Sequence, residues 1–140
     1  MLIGSYPGSI NEKRRVTVPK KFLTEVGEKP VLAKWYEGCL ILVSLNFWNN
    51  LVEKLSGGKR PATVGIRDIE RFILGSGFEV EPDELGRIVI PEILAKYANL
   101  DKETVFVGLL DRIEIWRRET WDQKSEELAK TTKDFIENLK

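Results

Sequence analysis

Residues 11–22, NEKRRVTVPKKF, and residues 83–94, DELGRIVIPEIL, share one frame at an offset of 72. Arg15 falls on Arg87, Val16 on Ile88, Val18 on Ile90, Pro19 on Pro91, Phe22 on Leu94, and Asn11 on Asp83. In each copy an alternating strand pattern runs into a proline that opens a short amphipathic helix, KKFLTEVG or EILAKYAN. Gly27 falls on Asn99, the two residue types that best accept a left-handed helix end. The offset then grows to 74, and VLAKWYEGCLILV faces VFVGLLDRIEIWR. Each reads as two apolar strands joined by a tight turn, with Glu37 and Asp111 at matching turn positions. Phe47 next falls on Trp121, inside the helical patterns NFWNNLVEKL and ETWDQKSEEL. Forty-odd residues bury too little apolar surface to fold alone. The halves are therefore expected to pack together as an internal pseudo-dimer, an α+β fold rich in strands.

The repeat divides the chain into a first copy over 1–55, a connecting region over 56–76, a second copy over 77–118 and a C-terminal helix over 119–140, all within one compact unit. A helix is expected over 62–74, with Ile66, Ile69, Phe72 and Ile73 on its apolar face and Gly75 ending it. GSYPGSI and FEVEP read as strands leading into the two copies. Trp121, Leu128, Phe135, Ile136 and Leu139 mark the apolar side of the last helix. Residues 117–140 hold six positive and six negative side chains, which suits packing along one face better than a membrane surface. Docking on a partner subunit is the alternative.

Formal net charge is zero, but it conceals an asymmetry. Residues 1–75 carry 12 Lys and Arg against 7 Asp and Glu, and residues 76–140 carry 10 against 15. A local basic field can attract a polyanion although the whole molecule is neutral. No run of eighteen apolar residues is present, so no membrane span is expected. The start, MLIGSYPGS, lacks the basic and apolar regions of a secretory signal. The one cysteine, Cys39, reads as a small buried hydrophobe, which fits a reducing cytoplasm. No histidine is present, and neither a phosphate-binding glycine loop, a zinc-type ligand cluster nor a nucleophilic triad occurs. Glu12, Asp83 and Glu84 could bind Mg²⁺ in a small hydrolase or nuclease, but turn and surface roles suit them better. The expectation is a non-enzyme without cofactor, metal or small-molecule substrate.

Lys13, Arg14, Arg15, Lys20 and Lys21 form the candidate surface for double-stranded DNA, joined by Arg87 from the second copy. Pro19 suits the first helical position, and a phosphate could accept the free N–H groups of that terminus. Arg15 can contact guanine or phosphate bidentately, or hold its own loop by pairing with residue 11 or a nearby carboxylate. Asn11 can accept backbone hydrogen bonds as Asp83 does, but it cannot form an ion pair with Arg15. Gly86 tolerates a positive φ where Arg14 does not do so cheaply, so the two loops are expected to differ in shape. Asp83, Glu84 and Glu92 also place negative charge around Arg87. Lys59, Arg60, Arg67 and Arg71 form a second basic cluster, read first as a solvated face. Trp35, Tyr36, Trp48, Trp116 and Trp121 read as core or interface packing rather than base-stacking platforms.

The paired blocks, DRIEIW and the tryptophan after it resemble the MraZ family of bacterial regulators of the division and cell-wall gene cluster, within the AbrB-like (SpoVT-AbrB) swapped-hairpin superfamily. The resemblance implies two AbrB-like β-α-β-β repeats combined into a pseudo-twofold double-split β-barrel with peripheral helices. It implies sequence-specific transcriptional regulation through short direct repeats, basic loops used for DNA contact, a homo-oligomeric ring of eight or more subunits, and a cytoplasmic, nucleoid-associated location. The family's Asp-to-Arg loop motif is whole in the second copy, at Asp83, Gly86 and Arg87, whereas Asn11 and Arg14 depart from it in the first. A ring-forming structural protein without specific DNA recognition, or an antitoxin-like regulator, is the competing reading.

Overall fold

The computed structural model describes residues 1–56 and 63–139. Its strands follow the apolar pattern. Val31–Lys34 (β3) and Leu40–Val43 (β4) are almost wholly buried, because both faces of this hairpin are covered. Arg15–Thr17 (β2) and Arg87–Val89 (β6) instead alternate, with only Val16 and Ile88 buried. Ile3–Ser9 (β1), Phe78–Glu79 (β5), Glu103–Leu109 (β7) and Ile113–Arg117 (β8) complete the set. The helices are Lys20–Val26 (α1), Leu45–Ser56 (α2), Val64–Ile73 (α3), Glu92–Tyr97 (α4) and Arg118–Leu139 (α5). The fold is α+β.

Six strands form one antiparallel sheet in the order β1-β7-β8-β4-β3-β5, and β2 pairs with β6 in a separate ribbon. Among the described residues, four of the six ladders join one half of the chain to the other: β1–β7, β2–β6, β3–β5 and β4–β8. Only the β3–β4 and β7–β8 hairpins are local to one half. The order reads the same from either end once each strand is exchanged for its counterpart. No ladder among the described residues closes the sheet into a barrel.

The registers refine the repeat. Val31 opposes Val43, and Val105 opposes Trp116, so β3 maps onto β7 at an offset of 74 while β4 maps onto β8 at 73. The residue is lost in the turn: Tyr36–Gly38 bridges the first hairpin, but only Leu110 and Asp111 bridge the second. Glu37 (φ 64°) and Gly38 (φ 80°) are left-handed in the first turn but only Leu110 (φ 68°) in the second, so Glu37 and Asp111 are not equivalent. Beyond the turn Trp48, not Phe47, is the counterpart of Trp121. Trp48 packs on Val31, Ala33, Ile41 and Val43, and Trp121 packs on Cys39, Val105, Val107 and Trp116. With these offsets Val16 opposes its own counterpart Ile88, and Ile41 opposes its own counterpart Glu114. A pseudo-twofold axis passes through both pairs.

The main core lies between one face of the sheet and a layer made of the ribbon, α1 and α4. Val16, Val18, Ile88, Ile90, Phe22 and Leu94 meet Leu32, Leu40, Leu42, Phe106, Ile113 and Ile115, and all are at most 2% exposed. Each such side chain contributes about 1.5–3 kcal/mol by leaving water. Both halves supply each layer, so neither half encloses this core by itself. Pro19 and Pro91 sit at the N-cap, one residue before the expected first helical position. Gly27 (φ 85°) and Asn99 (φ 51°) take the left-handed conformation that their identities suggest.

The connecting helix α3 is capped by Thr63, whose hydroxyl accepts from the Ile66 N–H at 3.2 Å, and a 3₁₀ turn over Leu74–Ser76 ends it. Ile73 is buried there, whereas Ile69 is exposed. Helix α5, about 33 Å long at 1.5 Å per residue, packs on β7 and β8 only near its start. There Trp121 lies against Trp116, ring centroids 5.5 Å apart, and Lys124 pairs with Glu37 at 2.7 Å. Leu128, Phe135, Ile136 and Leu139 remain exposed. Packing along one face therefore holds for the first turns of the helix and not for its end.

Candidate nucleic-acid interface

Period-two alternation sends Val16 and Ile88 into the core and turns their neighbours outward. Arg15 opposes Val89, and Thr17 opposes Arg87. Directly opposed residues share a face, so these four side chains form the outer surface of the ribbon around the pseudo-twofold axis. The two arginines stand diagonally across it, each partly exposed; Thr17 and Val89 are exposed.

Each arginine ends a five-residue loop, and the two loops are superimposable in their hydrogen bonds. Asn11 Oδ1 accepts from the Lys13 and Arg15 N–H groups, both at 2.9 Å, and Asp83 Oδ1 accepts from those of Leu85 and Arg87, both at 2.9 Å. The Asn11 and Asp83 N–H groups donate to the Arg15 and Arg87 carbonyls, each at 3.0 Å. Arg14 (φ 59°) adopts the same left-handed conformation as Gly86 (φ 77°). The expectation of different loop shapes is thus overturned. A left-handed non-glycine residue costs about 1–2 kcal/mol, and three hydrogen bonds offset it. The Arg14 carbonyl accepts from the Ile90 N–H at 2.8 Å, mirroring Val18 to Gly86 at 2.9 Å, and the Arg14 Nε–H donates to the Ile90 carbonyl at 3.0 Å. The Arg14 N–H also closes its turn on the Asn11 carbonyl at 2.9 Å.

The loops differ in charge. Arg87 Nε donates to Asp83 Oδ2 at 2.8 Å, completing an ion pair. The Arg87 backbone N–H, and then its guanidinium, hold the Asp83 carboxyl below its ordinary value of 3.8. The amide of Asn11 offers no such acceptor, and among the described residues the Arg15 guanidinium makes no ion pair. One arginine is held in place and the other is unrestrained.

The five basic residues of the first copy do not converge on one spot. Lys13 and Arg15 line an open cleft of about 710 Å³ with Asn11, Glu12, Lys102 and Glu103. Lys21 is turned toward β1, where its ammonium donates to the Tyr6 hydroxyl at 2.7 Å and lies 5.0 Å from the ring centroid. Lys20 lines a different cleft beside Glu28 and Glu81. In the second copy the counterparts of Tyr6, Lys13, Thr17 and Lys21 are Phe78, Leu85, Val89 and Ile93, all four exposed and apolar. The frame is shared, but these four positions are polar or basic in the first copy and apolar in the second. Thr17 and Val89 escaped sequence reasoning, although the two-residue period from Arg15 and from Arg87 would have marked them.

A family model described as "MraZ protein, putative antitoxin-like" matches residues 73–138. "Transcriptional regulator MraZ" from Caldanaerobacter subterraneus subsp. tengcongensis is 39% identical over 140 residues, covering 99% of this chain and 96% of the relative. Its namesake from Caldicellulosiruptor saccharolyticus is 45% identical over 125 residues, covering 89% and 86%, and that from Clostridium tetani is 40% identical over 124 residues, covering 88% and 86%. The chain belongs to the MraZ family. That family comprises transcriptional regulators, not enzymes.

Of the remaining candidates in this MraZ-family chain, the tryptophans serve packing. Trp116 is buried, and its indole N–H donates to Glu114 Oε1 at 2.9 Å; Trp35, Trp48 and Trp121 are half-buried against the outer face of the sheet. Tyr36 is exposed in the first hairpin turn, its ring 4.5 Å from Trp35. Arg71 pairs with Asp68 at 2.8 Å on exposed α3, which Arg67 shares. Lys59 and Arg60 lie outside the described residues. Burial, with Glu114 and Glu37 nearby, pushes the Cys39 thiol far above its ordinary range, so it stays protonated. Among the described residues no cluster of His, Cys, Asp or Glu could hold a metal, and no helix is long and apolar enough to cross a membrane.

Proposed function

We propose that this chain is a sequence-specific DNA-binding regulator that recognises short direct repeats upstream of the division and cell-wall gene cluster. The observation that carries the reading is the outward face of the β2–β6 ribbon, with Arg15 and Arg87 at the ends of two loops of one shape. A two-stranded ribbon fits the major groove of B-DNA, about 12 Å wide, where arginine reads guanine bidentately. In this reading Lys13 contacts phosphate beside Arg15, and Asn11, Asp83, Gly86 and Arg14, the last tied to the Ile90 carbonyl, shape the loops. The sheet and ribbon correspond in this reading to the double-split barrel of AbrB-like halves, with the repeat boundaries at 1–55 and 77–118. The site of action is the nucleoid, in the cytoplasm.

One chain offers few phosphate contacts, and several copies arrayed in a ring of eight or more would bind by avidity. The exposed end of α5 and the exposed Phe78, Leu85 and Ile93 of the second copy support such assembly. They are unlike surfaces, and contacts between unlike surfaces close into rings when the rotation permits.

The test is binding to a duplex carrying short direct repeats against a scrambled duplex, across a salt series. Tighter binding to the repeats, weakened by Arg15→Ala with oligomer size unchanged, is expected. Equal affinity for both duplexes would refute specific recognition, and loss of assembly in Arg15→Ala would favour the structural role.

A further inference from the structure

The ribbon is twofold in backbone but not in chemistry. Around its axis Arg15 faces Val89 on one side, and Arg87 faces Thr17 on the other. The four residues alternate with buried ones, so backbone register, not local flexibility, aims them outward. Val89 is 46% exposed in a strand whose other apolar residue, Ile88, is fully buried. Thr17, at the counterpart position, is exposed as well and carries a hydroxyl.

We propose that Val89 and Thr17 are specificity-determining residues that make this face read DNA in one direction, with Val89 seated on a thymine methyl beside the guanine taken by Arg15. The inference rests on the ribbon-in-groove reading above. The major-groove edge of thymine is distinguished by its methyl group, which apolar side chains contact. Thr17 offers a hydroxyl, able to donate or accept, beside the guanine taken by Arg87. A duplex backbone has its own local twofold, so a chemically symmetric face would bind in either orientation. The Arg15–Val89 and Arg87–Thr17 pairs remove that degeneracy. Lys13 at one end and Leu85 at the other add to it by offering phosphate contact on one side only. A directional reader selects repeats that all point the same way.

Replacing each thymine of a repeat duplex in turn by deoxyuracil deletes only the methyl. The full-length protein is expected to lose about fourfold in affinity at one thymine position per repeat, the worth of one buried methyl group. Val89→Ala should bind thymine and uracil alike at that position and keep its oligomer size. Inverting alternate repeats should weaken binding of the unaltered protein. If Arg15→Ala and Arg87→Ala leave binding unchanged, both the groove reading and this inference fall. If those variants bind weakly but Val89→Ala keeps every uracil penalty, only the inference falls. A changed oligomer size in Val89→Ala would assign that residue to a subunit contact and likewise overturn it.

Discussion

Asn11→Asp converts the first loop into the electrostatic likeness of the second. The backbone requires no change, because Asn11 Oδ1 already accepts the two N–H groups that Asp83 Oδ1 accepts. The new oxygen stands where Asp83 Oδ2 meets Arg87 Nε at 2.8 Å, and Arg15 becomes paired. Two unit charges about 4 Å apart in water interact by about 1 kcal/mol, and an exposed pair retains roughly half of that after screening and side-chain ordering. A phosphate held by Arg15 would lie about 6 Å from the new carboxylate and be repelled by about 0.7 kcal/mol before screening. Together they cost about 1 kcal/mol, or roughly fivefold in affinity for each loop engaged, multiplied over loops that bind together. Fluorescence anisotropy with a repeat duplex across a salt series measures both affinity and slope. Each phosphate that Arg15 no longer neutralises flattens the slope by about 0.9. Asp83→Asn should act in the opposite sense through Arg87. Unchanged affinity and slope in Asn11→Asp would refute the assignment of Arg15 as the unrestrained arginine.

Other perturbations have defined outcomes. Because the folded-state value of Asp83 is depressed, its stabilising contribution is complete above about pH 4 and is lost as pH falls through the depressed value; acid denaturation of Asp83→Asn should show a smaller fall over that window, measured by circular dichroism. Cys39 should resist a thiol-alkylating reagent at pH 8 in the folded protein and react once unfolded, with mass spectrometry as the readout; burial is the cause. Gly108→Ala would bring a methyl to 2.7 Å from the Ile3 nitrogen and the Leu2 carbonyl carbon, and 2.9 Å from Phe22 Cζ. Backbone cannot yield as a side-chain tip can, so β1 should be forced from β7 at a cost of about 2 kcal/mol, seen as a melting temperature lower by about 4–8 °C.

Much of the architecture was legible in the residues alone. The repeat, the strand–helix–hairpin–helix order, the prolines at helix starts, the Gly27 and Asn99 ends and the buried tryptophan, Trp116, all follow from local pattern, since each depends on the chemistry of a few neighbouring residues. The basic character of the first copy and the Asn11–Asp83 contrast were likewise plain. Three features depended on tertiary structure. The offset of 73 beyond the second hairpin, which makes Trp48 the counterpart of Trp121, follows from a two-residue turn whose length is defined by ladder registry. The left-handed Arg14 is held by the Ile90 N–H and carbonyl, seventy-six residues away in sequence, against its local preference. The shared face of Arg15, Thr17, Arg87 and Val89 exists only because β2 pairs with β6 across the halves, and a slip of one residue there would turn other side chains outward. Local pattern determines which elements form; pairing between distant segments determines which side chains stand together.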